Sequence, residues 1–222
     1  MQKHLDKGQS SQIPINSPKR GISISFRKPN IQFIKQAKLL NPRANELVLI
    51  SEELRDRLHI KGLISLSTRT GSGFFINTAN FEPKNFNRDN IVEVIDFDPV
   101  RNNMMVIGNE PPAHDAAFHW FIYRGFPNVF GILCINESEL FEHFQAAQKP
   151  VLDVDDEIMD TNFALKLLGS VKDSKIILLN DQTIIIVDET LLDAYNSLKS
   201  DVYTLLSVKV QKKTKKGKKS KK

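Results

Sequence analysis

The run Val129-Phe-Gly-Ile-Leu-Cys134-Ile135 is apolar without alternation, and Asn136 follows it. Such a run predicts a strand covered on both faces, because a sheet with one wet face would place polar groups at every second position. A chain with a strand of this kind needs helices above and below its sheet. The strand also delivers Cys134 and Asn136, two residues apart, to the same face near its end. Immediately upstream, His114–Phe126 has a helical pattern, and Pro127 separates the two elements.

The flanking segments fit that frame. Glu46–His59 carries Leu47, Ile50, Leu54 and Leu58 at spacings of three and four, which predicts an amphipathic helix. Gly62–Thr68 and Gly73–Asn77 flank Arg69-Thr-Gly71-Ser and predict a hairpin. Ile91–Phe97 and Asn103–Ile107 predict a second strand pair. Ser138–Gln148 and Asp160–Leu168 are expected helices, Lys175–Leu179 and Thr183–Val187 strands, and Glu189–Leu206 a long closing helix. Ile31–Leu40, with apolar residues at 31, 33, 34, 39 and 40, is expected to be a short helix ended by Asn41-Pro42. A β-rich first half followed by alternating elements predicts an α/β fold, a three-layer α/β/α sandwich with a mixed central sheet.

The chain divides into an arm, a domain and a tail. Residues 1–30 are polar, broken by Pro14, Pro18, Gly21 and Pro29, and are expected to be flexible, with one extended piece at Gly21–Phe26. Residues 31–208 form the domain. Nine of the 31 basic residues lie between Lys209 and Lys222, and the other 22 are outnumbered by 26 acidic ones, so the net charge of +5 belongs to the tail. A solvated lysine run repels itself and buries nothing, so 209–222 is expected to be disordered. It is either a solubilising extension or a contact for an anionic partner, nucleic acid or a membrane surface. There is no apolar run of membrane-spanning length and no signal-peptide pattern, and Cys134 is the one cysteine; a cytoplasmic protein without an intramolecular disulfide is expected.

Three motif-like stretches do not carry chemistry. Gly71-Ser-Gly73 lacks the Lys-Ser/Thr and the following helix of a phosphate loop. Asp153-Val-Asp155-Asp156-Glu157 has Ile158 where a calcium loop needs glycine, so it is expected to open the next helix. His114 is five residues from His119 and faces elsewhere, so the two do not make a metal motif.

Between Glu46 and Leu206 the order and spacing of these elements resemble the class II aldolase/adducin family. The resemblance implies a catalytic zinc held by a His-x-His at the end of the buried strand and by a third histidine in a later turn. Cys134, Asn136 and Gln182 stand at those positions. It also implies an acid/base glutamate one helical turn before a His-x-x-x-Tyr; here Asp115 precedes His119 and Tyr123. The two phosphate-binding turns of the family align with Lys61-Gly-Leu-Ile64-Ser65-Leu-Ser67-Thr-Arg69 and with Phe75-Ile-Asn77-Thr78-Ala79-Asn80. Ser-x-Arg is retained, but Ile64 and Ser65 replace Gly-Asn, and Asn77 and Thr78 stand in a turn without glycine.

Neutral amides are poor zinc ligands, and Asp115 is taken to lie far from Cys134. The sequence thus leads to a catalytically silent domain with no catalytic residue, no metal and no cofactor, acting in binding or assembly. Cys134 is expected to be an inert buried thiol and His119 a structural histidine. A homo-oligomer, a tetramer by the resemblance, is the expected assembly. Two alternatives stay open. One is a diverged lyase, epimerase or dehydratase on a small sugar-like substrate, with a zinc site rebuilt from Cys134, Asp115 or His119. The other is a nucleic-acid-associated protein acting through Lys209–Lys222.

Overall fold

The computed structural model describes residues 29–37, 41–154 and 161–219. Its strands are β1 Asn30–Lys35, β2 Leu63–Arg69, β3 Phe74–Asn77, β4 Ile91–Asp98, β5 Asn103–Ile107, β6 Gly131–Asn136, β7 Val151–Leu152, β8 Ile176–Leu179 and β9 Thr183–Asp188. They form one sheet in the order β1-β5-β4-β3-β2-β6-β9-β8-β7. The outer pairs, β1 with β5 and β7 with β8, are parallel, and the pairs between them are antiparallel. The helices are α1 Ala44–Asp56, α2 Ala116–Gly125, α3 Ser138–Ala146, α4 Thr161–Asp173 and α5 Leu191–Lys219.

Two apolar clusters lie on opposite faces of the sheet. One joins α2 and α4 to Phe74, Ile76, Val94, Ile132, Cys134 and Ile185. The other joins α1, α3 and α5 to Leu66, Phe75, Leu133, Ile135, Ile184 and Ile186. Consecutive residues of β6 therefore feed different cores, Ile132 and Cys134 below α2, Leu133 and Ile135 below α5. This is the mixed three-layer α/β/α sandwich expected from the apolar run, with the strand centred at Gly131–Asn136.

Two expectations are corrected. Asn30–Lys35 is an edge strand where a helix over 31–40 was expected; Ile31 and Phe33, two apart, pack on the core, and β5 supplies the hydrogen bonds. Positions 38–40 lie outside the described residues. The helix α5 runs to Lys219, through most of the tail expected to be disordered. Lysine is a good helix former, and a helix already anchored by Leu191, Tyr195, Leu198 and Val202 adds residues without a new nucleation cost. The two-residue β7, too short for any sequence pattern, was not anticipated. The flexible arm, apart from Pro29 and Asn30, the extended piece at Gly21–Phe26, the acidic run from Asp155 to Ile158 and the last three tail residues lie outside the described residues.

The turn after α2 shows how one side chain ties the layers together. Arg69, at the end of β2, donates to the carbonyls of Tyr123, Phe126 (3.0 Å) and Pro127 (3.3 Å), closing the C-terminal end of α2. Its guanidinium also lies over the rings of Tyr123 (5.0 Å) and Phe130 (5.3 Å). The retained Ser-x-Arg is therefore a helix-capping device here. Arg69→Ala is expected to cost about 2–3 kcal/mol, by loss of charge-assisted hydrogen bonds to half-buried carbonyls, read as a lower urea midpoint with unchanged slope.

Candidate functional site

The site begins with a bulge. Against β6, Leu63 pairs with Ile135 and Ser65 with Cys134, so Ile64 is an extra residue in β2. Past the bulge, Ser65 and Ser67 both point toward α2, on the same side as Cys134. On α2, His119 and Tyr123 are one turn apart, and Asp115 occupies the position just before the first turn.

These side chains form one buried chain of hydrogen bonds. Ser65 Oγ donates to Asp115 Oδ2 at 2.6 Å and lies 2.9 Å from His119 Nε2. Ser67 Oγ lies 2.6 Å from His119 Nδ1 and 2.7 Å from the Tyr123 hydroxyl. Since Ser65 gives its one proton to Asp115, Nε2 of His119 donates to Ser65. In the neutral ring Nδ1 then accepts from Ser67, whose oxygen accepts from Tyr123. Cys134 Sγ is 3.4 Å from His119 Nε2, and Asp115 Oδ2 is 3.6 Å from it.

His119 and Cys134 are fully buried, and the Asp115 side chain is 12% exposed. Burial pushes the Asp115 carboxyl up, but hydrogen bonding and charge interaction with His119, then bonds to Ser65 and Cys134, outweigh it and hold it below its usual range. Burial, reinforced by the Asp115 carboxylate, holds the Cys134 thiol well above its usual range. Burial likewise raises the Tyr123 phenol. Cys134 is buried, and His119 has the buried, hydrogen-bonded place expected of it. Asp115 does not lie far from Cys134: Asp115, His119 and Cys134 each bring one ligand atom into a group spanning no more than 4.8 Å. Sequence spacing could not show this, because the two meet only when α2 packs on the face of the sheet that Cys134 enters.

The other positions singled out in the sequence are spent on neighbours. Asn136, at the exposed end of β6, donates to the Asp181 carbonyl at 3.3 Å. Gln182, in the β8–β9 turn with φ of 70°, accepts from Ser138 Oγ at 3.1 Å. The zinc positions implied by the resemblance thus hold one thiol and two engaged amides, a set that does not fit that zinc. Asn77 is fully buried; its amide accepts from Leu66 N at 2.9 Å and donates to Ile64 O at 3.2 Å, lacing the bulge to β3. Thr78 is buried beside it, its backbone N–H donating to Asn90 O. Ile64 packs under α2 and α4.

One participant was not anticipated. Glu137 Oε1 accepts from the backbone N–H groups of Lys61 (2.6 Å) and Gly62 (2.9 Å). Adjacent N–H groups pointing at one spot make an anion-binding concavity, and the chain's own carboxylate fills this one. The available signal was a glutamate directly after the buried strand.

Comparison with solved structures identifies the fold. An L-fuculose 1-phosphate aldolase superposes with a TM-score of 0.59 at 15% identity, covering 80% of this chain and 90% of that one. The L-fuculose-1-phosphate aldolase of Thermus thermophilus gives 0.57 at 16%, covering 78% and 96%. YgbL of Escherichia coli, described as a putative aldolase/epimerase/decarboxylase, gives 0.60 at 13%, covering 76% and 88%. At these identities the likeness is one of fold, and the fold is class II aldolase-like. No family model and no curated protein sequence matches the chain.

Proposed function

We propose that this chain is a catalytically silent class II aldolase-like domain that acts as a binding or assembly module. The reading rests on one observation above others: the chain's own groups occupy what a sugar phosphate would need. Glu137 sits on the N–H groups of Lys61 and Gly62, Asn77 on the backbone of Ile64 and Leu66, and Asn136 and Gln182 on Asp181 and Ser138. A ligand would have to break these bonds before making its own, and at the buried Asn77 amide a group left unpaired costs about 1–3 kcal/mol. Without a cradle for the phosphate, the orientation on which such chemistry depends is also missing.

The nearness of Asp115, His119 and Cys134 favours a second reading, a diverged metal-dependent lyase, epimerase or dehydratase. Against it stands the full burial of His119 and Cys134, which gives a substrate little access to a metal between them. Assembly into a homo-oligomer and attraction of an anionic partner by the lysine-rich end of α5 complete the proposal. Among the described residues no helix is long and apolar enough to cross a membrane.

The test is aldol cleavage of L-fuculose 1-phosphate by the full chain, with and without added zinc. No cleavage above the protein-free background is expected in either case. Multiple turnovers per chain under either condition would replace the silent reading with the enzymatic one.

A further inference from the structure

We propose that Asp115, His119 and Cys134 together bind one divalent transition-metal ion, zinc by ligand type, in a closed site that stabilises the fold. Of the three zinc positions that the resemblance implies only Cys134 takes part; Asn136 and Gln182 do not, and His119 enters from α2 with Asp115 just before it. The proposal goes beyond the silent-domain reading and does not depend on it.

Two of the three donor spacings already match a tetrahedral ion, and the three donor atoms lie within 4.8 Å of one another. With zinc about 2.3 Å from sulfur and about 2.0–2.2 Å from nitrogen and oxygen, tetrahedral donors stand roughly 3.3–3.6 Å apart. Cys134 Sγ and His119 Nε2 are 3.4 Å apart, and His119 Nε2 and Asp115 Oδ2 are 3.6 Å apart. Ser65 Oγ borders the same space, hydrogen-bonded at 2.6 Å to Oδ2 and at 2.9 Å to Nε2. Thiolate, imidazole and carboxylate together select zinc over the hard cations, which prefer oxygen. The charges also balance. One thiolate and one carboxylate neutralise a divalent ion, so the buried cluster carries no net charge once Cys134 releases its proton to solvent on binding.

Two further observations point to a ligand. Asp115 Oδ1 is buried and has no hydrogen-bond partner, so one oxygen of the carboxylate lacks the satisfaction that burial demands. The second is the Ser67–Tyr123 branch. A metal on Nε2 requires the proton on Nδ1, and a ligating histidine normally donates that proton to a neighbour. Ser67 is placed to accept it, Tyr123 to accept from Ser67, and the Phe130 carbonyl, 3.4 Å from the Tyr123 hydroxyl, to accept from Tyr123. Reversing these bonds costs no partner anywhere along the chain.

Untagged full-length protein, purified without chelator and analysed for metal, is expected to carry about one zinc per chain. Zinc added back to metal-free protein should raise the melting temperature. Cobalt(II) in its place should give tetrahedral d–d bands with a thiolate-to-cobalt charge-transfer band, which Cys134→Ser removes. Ser67→Ala, which touches no ligand atom, should weaken zinc binding about 10–100-fold. Asn136→Ala and Gln182→Ala should keep the zinc. Metal-free protein whose melting temperature ignores both zinc and cobalt overturns the proposal. So does zinc that survives Cys134→Ser but is lost in Asn136→Ala or Gln182→Ala. Because the readouts are metal content, spectrum and melting temperature, they can fail while the absence of aldol cleavage stands, and the reverse.

Discussion

Gly62→Val is expected to leave little folded protein. The chain approaches itself at Gly62 so closely that a Cβ there would lie 1.8 Å from the Asn136 carbonyl oxygen, a backbone atom that cannot swing aside. The approach is held from both directions. Asn136 N–H donates to Gly62 O at 2.7 Å, and Glu137 grips the Lys61 and Gly62 N–H groups. Any side chain at 62 must separate the start of β2 from the end of β6, shifting the register that sets Ser65 opposite Cys134. A loss of more than about 4 kcal/mol is expected, a large share of the stability of a domain this size. Thermal unfolding and soluble yield read it directly. A Gly62→Val protein within about 1 kcal/mol of the parent would show that the β2–β6 approach is looser than described.

His119→Ala is expected to have the next largest effect. The imidazole is fully buried and bridges Ser65, Ser67 and Cys134 while stacking at 6.2 Å on Phe74. Removing it leaves a cavity and takes one partner each from Ser65, Ser67 and Cys134, while Ser65 keeps Asp115 and Ser67 keeps Tyr123. With the cavity cost and about 1 kcal/mol for each lost hydrogen bond, a total of about 3–5 kcal/mol is expected from denaturant unfolding. A second consequence distinguishes a bonded network from mere packing. His119→Phe fills the space but returns none of the hydrogen bonds, so it should recover less than half of the lost stability. Full recovery by phenylalanine would mean that the polar chain contributes nothing.

The reading from sequence succeeded where the pattern was local. The unbroken apolar run around Leu133 is diagnostic because both faces of β6 are covered, and the three- and four-residue spacing of Leu47, Ile50 and Leu54 marks the buried stripe of α1. The identity of the site's α2 residues was legible too, since Asp115, His119 and Tyr123 fall four apart on a helix. What failed was long-range. Ile31 and Phe33 gave too short an alternation to outweigh a helical reading, and β1 owes its form to a partner strand about seventy positions away, as Asn30 paired with Asn103 shows. The pairing of Ser65 with Cys134 depends on the extra residue at Ile64, and the meeting of Asp115 with Cys134 on the packing of α2 against the sheet, neither of which periodicity reveals. Glu137 escaped notice because a carboxylate beside two glycine-region N–H groups is a tertiary event, written in sequence only as one more acidic residue after a strand.

The proposed silence rests on the chain's own groups filling the places that a sugar phosphate would need. Amide NMR spectra of the isotope-labelled full chain, recorded as L-fuculose 1-phosphate is added, test it most directly. The account predicts no saturable shift at Lys61, Gly62, Ile64, Ser65, Asn77 or Thr78, whose N–H groups or neighbouring side chains are already engaged within the protein. Saturable shifts confined to those amides, at concentrations where inorganic phosphate alone gives none, would contradict it and reopen the site as one that takes a sugar phosphate.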